Sequence, residues 1–135
     1  MDLIKTKKSD LPAIRKELLE KQRYRCPITG RDLRDMKPIN LVVDHCHHSG
    51  VIRGVLPRGI NGLEGKIKTL MQRYGGYTAT DVVGQAKALY ALADYILLHR
   101  VPQTPYLHHT YLTPAEQRAK RNAQARKRYA ASKKG

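Results

Sequence analysis

The sequence predicts a mostly helical α+β fold with a basic C-terminal helix or arm. Two short β-rich runs flank a Ser-Gly pair, and longer segments repeat apolar residues at helical spacing. The 135 residues suffice for one domain and an appendage. We expect residues 1–100 to form the domain around a motif core at 41–75, residues 101–112 a linker, and residues 113–135 the arm.

The composition indicates a polyanionic partner. Lys and Arg number 26 against 11 acidic residues, a formal net charge of +15. Such an excess most often serves nucleic-acid binding and less often a membrane surface. No apolar run approaches the roughly 18 residues of a spanning helix, and the N-terminal segment lacks a signal-peptide core. We therefore expect a soluble, cytoplasmic protein with no membrane partner.

The N-terminal half predicts a helix followed by a hairpin. SDLPAIRKELLEKQRYR, residues 9–25, has helical apolar spacing, with Ser9 or Asp10 as its cap. CPITGRDL then breaks the pattern. LVVDH and VIRGVL are strand candidates, and Ser49-Gly50 between them is a hairpin signal. INGLEGKIKTLMQRYGG is helical again and ends at a Gly-Gly pair.

The C-terminal half predicts two further helices. TATDVVGQAKALYALADYILLHR carries a broad apolar stripe and should pack on the rest of the domain. After the proline-containing linker, Thr113, Pro114 and Glu116 form a capping box with proline at the first helical position. The segment that follows has no apolar stripe. Its expected DNA contacts are Lys120, Arg121, Arg126, Lys127 and Arg128.

The histidine-rich stretch LVVDHCHHSG raises the question of chemistry. A polar surface loop and an adventitious metal binder are the ordinary interpretations. However, Asp44 and His45 end a strand candidate, and Asn61 opens the helix after the hairpin. Strand, strand and helix with Asp-His and Asn at these places resemble the ββα-metal (HNH) nucleases. Phosphodiester hydrolysis uses a hard cation with oxygen ligands, and a base that works near neutral pH.

DHCHHSGVIRGVLPRGINGLEG is similar to one branch of that group, the phage recombination endonuclease VII family. That pattern runs Asp-His-x-His, Gly-x-x-Arg-Gly-x-Leu, Asn and Leu-x-Gly. The matching residues are Asp44, His45, His47, Gly50, Arg53, Gly54, Leu56, Asn61, Leu63 and Gly65. The resemblance implies that Asp44 and Asn61 hold Mg²⁺ or Mn²⁺, and that His45 is the base. It also implies that His47 and Arg53 contact the phosphate backbone; we add Arg58 and Lys66 as DNA contacts.

The chain departs from this family at the structural zinc site. Two Cys-x-x-Cys pairs should fall at residues 26 and 29 and at residues 57 and 60, but only Cys26 is a cysteine. One thiolate cannot hold a tetrahedral structural zinc. We therefore expect no structural zinc, with Ile28, Pro57 and Ile60 forming an apolar plug instead. Cys46 lies outside these positions and is expected to be a small buried residue.

The resulting hypothesis is a divalent-metal DNA endonuclease, phage-encoded and located in the host cytoplasm. It would resolve branched DNA, act as a homing or nicking enzyme, or degrade DNA broadly. Junction resolution generally needs two active sites, which points to a homodimer. The alternative is a non-catalytic DNA-binding protein on a decayed nuclease core. An RNA-binding protein is less favoured because no aromatic stacking motif is present.

Overall fold

The computed structural model describes all 135 residues and has an α+β architecture. Four α-helices accompany one two-stranded antiparallel sheet. In chain order the elements are α1 (Leu11–Lys21), β1 (Leu41–His45), β2 (Ile52–Pro57), α2 (Arg58–Gly75), α3 (Val82–Leu98) and α4 (Pro114–Ser132). The chain divides into two compact units, Met1–Tyr90 and Ala91–Gly135. The predicted class, α+β and mostly helical, is confirmed.

The hairpin of β1 and β2 is the structural centre of the first unit. The strands pair with Asp44 opposite Gly54 and His45 opposite Ile52, so a bulge leaves Arg53 as an extra residue. The connecting turn is closed by hydrogen bonds between its own backbone groups. Gly50 adopts φ +74° there, a left-handed conformation that favours glycine. The predicted hairpin and its glycine are therefore confirmed.

Helix α1 is shorter than predicted at both ends. It ends at Lys21 because Arg23 and Tyr24 take positive φ values of 52° and 57°, which no α-helix continues. Asp10, one of the two expected caps, lies at the N-cap position, but its side chain makes no capping hydrogen bond to α1. The Asp10 carboxylate instead accepts a 2.8 Å hydrogen bond from the Lys7 backbone N–H, which closes the short 3₁₀ turn Lys8–Asp10.

The core is small and centres on β2. Its buried hydrophobic residues are Leu19, Cys26, Leu33, Leu41, Val55 and Leu56. The Gln22 side chain bonds to the outer edge of β2 as a strand would: its amide oxygen accepts from the Val55 N–H at 2.7 Å, and its amide nitrogen donates to the Val55 carbonyl at 3.0 Å. A Cβ on Gly54 would lie 2.9 Å from that amide oxygen, so a side chain at this position would crowd the Gln22 amide and its hydrogen bonds to Val55.

Hydrogen bonds close the CPITG turn, in which Thr29 stands at the expected second cysteine position. The Cys26 N–H donates to the Arg31 carbonyl at 2.9 Å, and the Thr29 N–H donates to the Cys26 sulfur at 3.4 Å. Pro57 is buried and Ile60 packs against the core, as expected of an apolar plug. Ile28 was wrongly included in that plug, because 57% of it is exposed.

Helices α2 and α3 differ from prediction in detail. α2 begins at Arg58, so Asn61 lies within its first turn instead of opening it. The helix ends at Gly75, and Gly76 caps it with φ +73°. Within the first unit, which ends at Tyr90, the expected packing of α3 was wrong: only Gln85 is buried, and Tyr90 is 76% exposed. With so small a core, most apolar side chains in this part of α3 remain uncovered.

Candidate functional site

The end of β1 carries the predicted metal ligand Asp44 and the predicted base His45 at adjacent positions. Asp44 is buried, with only 7% of its surface exposed, while the next residue, His45, is exposed. Successive side chains of a strand point to opposite faces, which accounts for this contrast. The imidazole rings of His45 and His47 stack with centroids 4.9 Å apart and planes 17° apart. The two accessible imidazoles therefore stack on each other, while the Asp44 carboxylate points to the other face of the strand.

Arg53 forms an ion pair with the Asp44 carboxylate. Its Nε lies 2.7 Å from one carboxylate oxygen and its Nη2 lies 3.0 Å from the other, a two-point ion pair. In a regular ladder Arg53 would oppose His45 and project from the other face of the sheet. The bulge re-aims it onto Asp44. The predicted phosphate contact of Arg53 remains a prediction, since the structure shows this residue bound to protein carboxylates.

Glu64 on α2 completes this charged cluster. Its carboxylate lies 3.1 Å from the Nη1 atom of Arg53. Hydrogen bonds to Asp44 and then to Glu64 raise the pKa of the Arg53 guanidinium, so this side chain stays charged. The sequence prediction missed Glu64. The available signal was its position three residues after Asn61, which places both side chains on the same face of a helix.

Two clefts open at this cluster. One, of about 210 Å³, is lined by Asp44, Arg53 and Glu64 together with apolar residues and Gly54. The other, of about 380 Å³, is lined by Arg53 and Glu64 together with His47, His48 and Lys68 among other residues. The two clefts thus share Arg53 and Glu64, and the second one adds two imidazoles and Lys68.

The donor set at the site suits a hard cation. No group of three or more His, Cys, Asp and Glu side chains is arranged to hold a metal ion. However, Mg²⁺ is usually held by only one or two carboxylates, with water and substrate phosphates as its other ligands. Asp44 carries one carboxylate and the half-buried Asn61 carries an amide oxygen, both of them donor types that such a cation accepts; no hydrogen bond links the two side chains. A carboxylate offers about four lone-pair positions, so Asp44 keeps acceptor capacity beside Arg53.

Cys46, in the hairpin turn, is not the buried residue that was expected. It is half-buried and lines an apolar groove of about 440 Å³ between α2 and the start of α3. The nearby Ser49 hydroxyl has the largest effect on the Cys46 thiol and, together with the backbone N–H groups of Ser49 and His48, lowers its pKa to about 7. The thiol therefore lies two residues from Asp44 in a partly ionised state at neutral pH.

The expected DNA-contacting residues are exposed. The Arg58 guanidinium donates a 2.7 Å hydrogen bond to the Ile39 carbonyl, and Lys66 lies free on α2. On α4, all five predicted basic contacts are exposed, and no ion pair involves any residue of this helix. The predicted capping box is present: the Thr113 N–H donates to the Glu116 carboxylate at 2.7 Å, and the Thr113 hydroxyl accepts from the Glu116 N–H.

The fold and site define an α+β protein with a charged cluster at the end of a β-hairpin. Residues 4–97 match the family described as recombination endonuclease VII. Because this match covers more than half of the chain, the protein belongs to that family, as the resemblance predicted. No curated protein and no solved structure is similar enough to count as a match. Family membership supports a nuclease that acts on DNA. None of the helices combines the length and apolar character needed to span a membrane.

Proposed function

We propose that the protein is a divalent-metal-dependent DNA endonuclease of the ββα-metal (HNH) type, encoded by a phage and acting in the host cytoplasm. The observation that carries this proposal is the arrangement at the end of β1, where a buried Asp44 is followed directly in the chain by His45, whose exposed imidazole stacks on that of His47. The order of elements, hairpin and then α2 with Asn61 in its first turn, supports the same assignment.

Each residue of the site has a role in phosphodiester hydrolysis. Asp44 and Asn61 would hold Mg²⁺ or Mn²⁺, which when bound supplies positive charge to the scissile phosphate. His45 is accessible to solvent and would accept the proton of the attacking water. His47 lines the basic cleft and would position the phosphate backbone.

We infer a division of labour along the chain. Residues 1–100 would form the nuclease domain, residues 101–112 a linker, and residues 113–135 a DNA-binding arm. The arm begins with its own capping box, which lets α4 start independently of the preceding residues. Arg58 and Lys66 would add contacts from the nuclease domain, since both are exposed.

One gel tests the proposed reaction. Supercoiled plasmid, a four-way junction and a linear duplex are incubated with the protein in Mg²⁺ or in EDTA. Metal-dependent cleavage is the expected result, and the substrate that is cut distinguishes junction resolution, nicking and broad degradation. Substitution His45→Ala should reduce the cleavage rate by about 10² to 10⁴ because it removes the base, while DNA affinity stays near that of the wild type. Wild-type turnover by this variant would contradict the assignment of His45.

One observation favours a second candidate, a DNA-binding protein without catalysis. Both oxygens of Asp44 already accept hydrogen bonds from Arg53, so the expected metal ligand has an internal partner. This candidate predicts salt-sensitive binding to every DNA substrate and the same absence of products in Mg²⁺ and in EDTA. The gel therefore separates the two candidates directly.

We also propose that the active form is a homodimer assembled through α3. All nine large apolar side chains of this helix are exposed. Large exposed apolar patches mark interaction sites. The nine side chains are Val82, Val83, Leu89, Tyr90, Leu92, Tyr95, Ile96, Leu97 and Leu98. Light scattering at micromolar concentration should give twice the chain mass of 15.3 kDa. Ile96→Glu should yield monomers, whereas the matched control Lys87→Glu should not; a monomeric wild type would refute the proposal.

A further inference from the structure

We infer that Arg53 is a built-in competitor of the metal for Asp44, and that Glu64 is the residue that retains Arg53 when the metal binds. This inference rests on the proposed function, because it concerns the carboxylate proposed to hold the metal. It assigns a role to Glu64, and it gives Arg53 a regulatory role in addition to the expected phosphate contact.

The burial of Asp44 explains why an internal cation is present. A carboxylate on a side chain that is only 9% exposed is costly unless a positive charge or several hydrogen-bond donors compensate it. Arg53 provides both, with Nε at 2.7 Å and Nη2 at 3.0 Å from the two carboxylate oxygens. The guanidinium therefore does electrostatically what a cation bound to this carboxylate would do.

The position of Glu64 offers Arg53 a second carboxylate. The guanidinium uses two of its nitrogens for Asp44 and its third, Nη1, for Glu64 at 3.1 Å. The Glu64 side chain is 30% exposed, whereas that of Asp44 is 9% exposed. Arg53 can therefore give up hydrogen bonds to Asp44 and still keep a carboxylate partner beside it. Both residues line the cleft that carries His47 and Lys68, so the released guanidinium remains at the surface proposed to receive the phosphate.

Competition follows from charge and from acceptor sites. The hydrogen bonds of Arg53 use part of the acceptor capacity of Asp44, and a divalent cation at the same carboxylate would lie a few ångströms from a positive guanidinium. Both effects weaken metal binding. Glu64 counteracts them by offering Arg53 another carboxylate partner when it gives up its hydrogen bonds to Asp44. Removing Arg53 should therefore tighten metal binding, and removing the charge of Glu64 should weaken it only while Arg53 is present.

A double-mutant cycle of Mn²⁺ binding tests this inference without measuring activity. Mn²⁺ affinity is measured by electron paramagnetic resonance of the free ion for the wild type, Arg53→Met, Glu64→Gln and the double variant. Arg53→Met should bind Mn²⁺ at least about tenfold more tightly. Glu64→Gln should weaken binding severalfold, and the same change in the Arg53→Met background should have little effect, because the two residues act as a coupled pair. Asp44→Asn is the control that should abolish binding.

Several results would overturn the inference. Equal Mn²⁺ affinity of the wild type and Arg53→Met would exclude competition, and an equal effect of Glu64→Gln in both backgrounds would show that Glu64 acts on the metal directly. If Arg53→Met fails to fold by circular dichroism, Arg53→Lys replaces it: a single ammonium loses the two-point contact, so Mn²⁺ should again bind more tightly. Absence of Mn²⁺ binding by the wild type and by both Arg53 variants would overturn the proposed metal site together with this inference.

Discussion

Ending the chain after Tyr111 should weaken DNA binding and flatten its salt dependence, while leaving the nuclease domain folded and able to cleave at low salt. The truncation removes α4 with its capping box. It should not unfold the remainder, because no residue of α4 is buried and the core residues all lie between Leu19 and Leu56. The family match also ends at residue 97, before this helix begins.

The expected magnitude follows from the distribution of charge on α4. The removed segment carries eight basic residues, and the six of them on α4 lie around the circumference of the helix. At 100° per residue, Lys120 and Lys127 share one face, Arg121 and Arg128 share a second, and Arg118 lies on a third. Any docking on duplex DNA therefore brings about half of the eight, roughly four, to phosphates. Each lost contact lowers the log–log salt slope by about 0.9, so the slope should fall by about 3.6 and affinity by more than about tenfold at moderate salt.

Fluorescence anisotropy with a labelled duplex, measured across a salt series, provides the test. The fold of the truncated chain is checked by circular dichroism, and cleavage is assayed at low salt. An unchanged salt slope would mean that α4 does not contact phosphates in the complex. Loss of structure after truncation would mean that the domain requires the arm, which would refute the inferred boundary.

Three further outcomes are expected. Elemental analysis of protein purified without metal-affinity steps should find far less than one zinc per chain. One zinc per chain that survives dialysis would refute the expected loss of the structural zinc site. Gly54→Ala should lower the free energy of unfolding, measured in urea, by about 1 to 3 kcal/mol, since its Cβ would crowd the amide of Gln22. The control Gly62→Ala lies within a helix where space is open, so it should leave the free energy of unfolding unchanged or raise it. In EDTA, alkylation of Cys46 by iodoacetamide should accelerate as pH rises through about 7, because the thiolate is the nucleophile, and Ser49→Ala should shift this profile to higher pH.

The errors in the sequence prediction have identifiable causes. The first helix was extended to residue 25 on its apolar spacing, but Arg23 and Tyr24 take left-handed backbone conformations. Those conformations let Arg25 pair with Asp32 beside the CPITG turn, a contact that helical periodicity does not encode. The apolar stripe of α3 was expected to be covered. Periodicity shows only that one face is apolar, whereas burial depends on the presence of another element to cover it.

The sequence by itself determined the local elements and the residue types at the site. Hydrophobic period, turn glycine and capping residues are short-range signals, so they placed the hairpin, α2 and the capped start of α4. The motif spacing likewise identified the family. Only the tertiary structure decided that Arg53 forms an ion pair with Asp44 and also donates a hydrogen bond to Glu64. That arrangement depends on a one-residue bulge that turns Arg53 to the other face of the sheet, and on a helix that brings a carboxylate from eleven residues further along the chain. Neither the register of a ladder nor contact between separate elements is encoded in local periodicity.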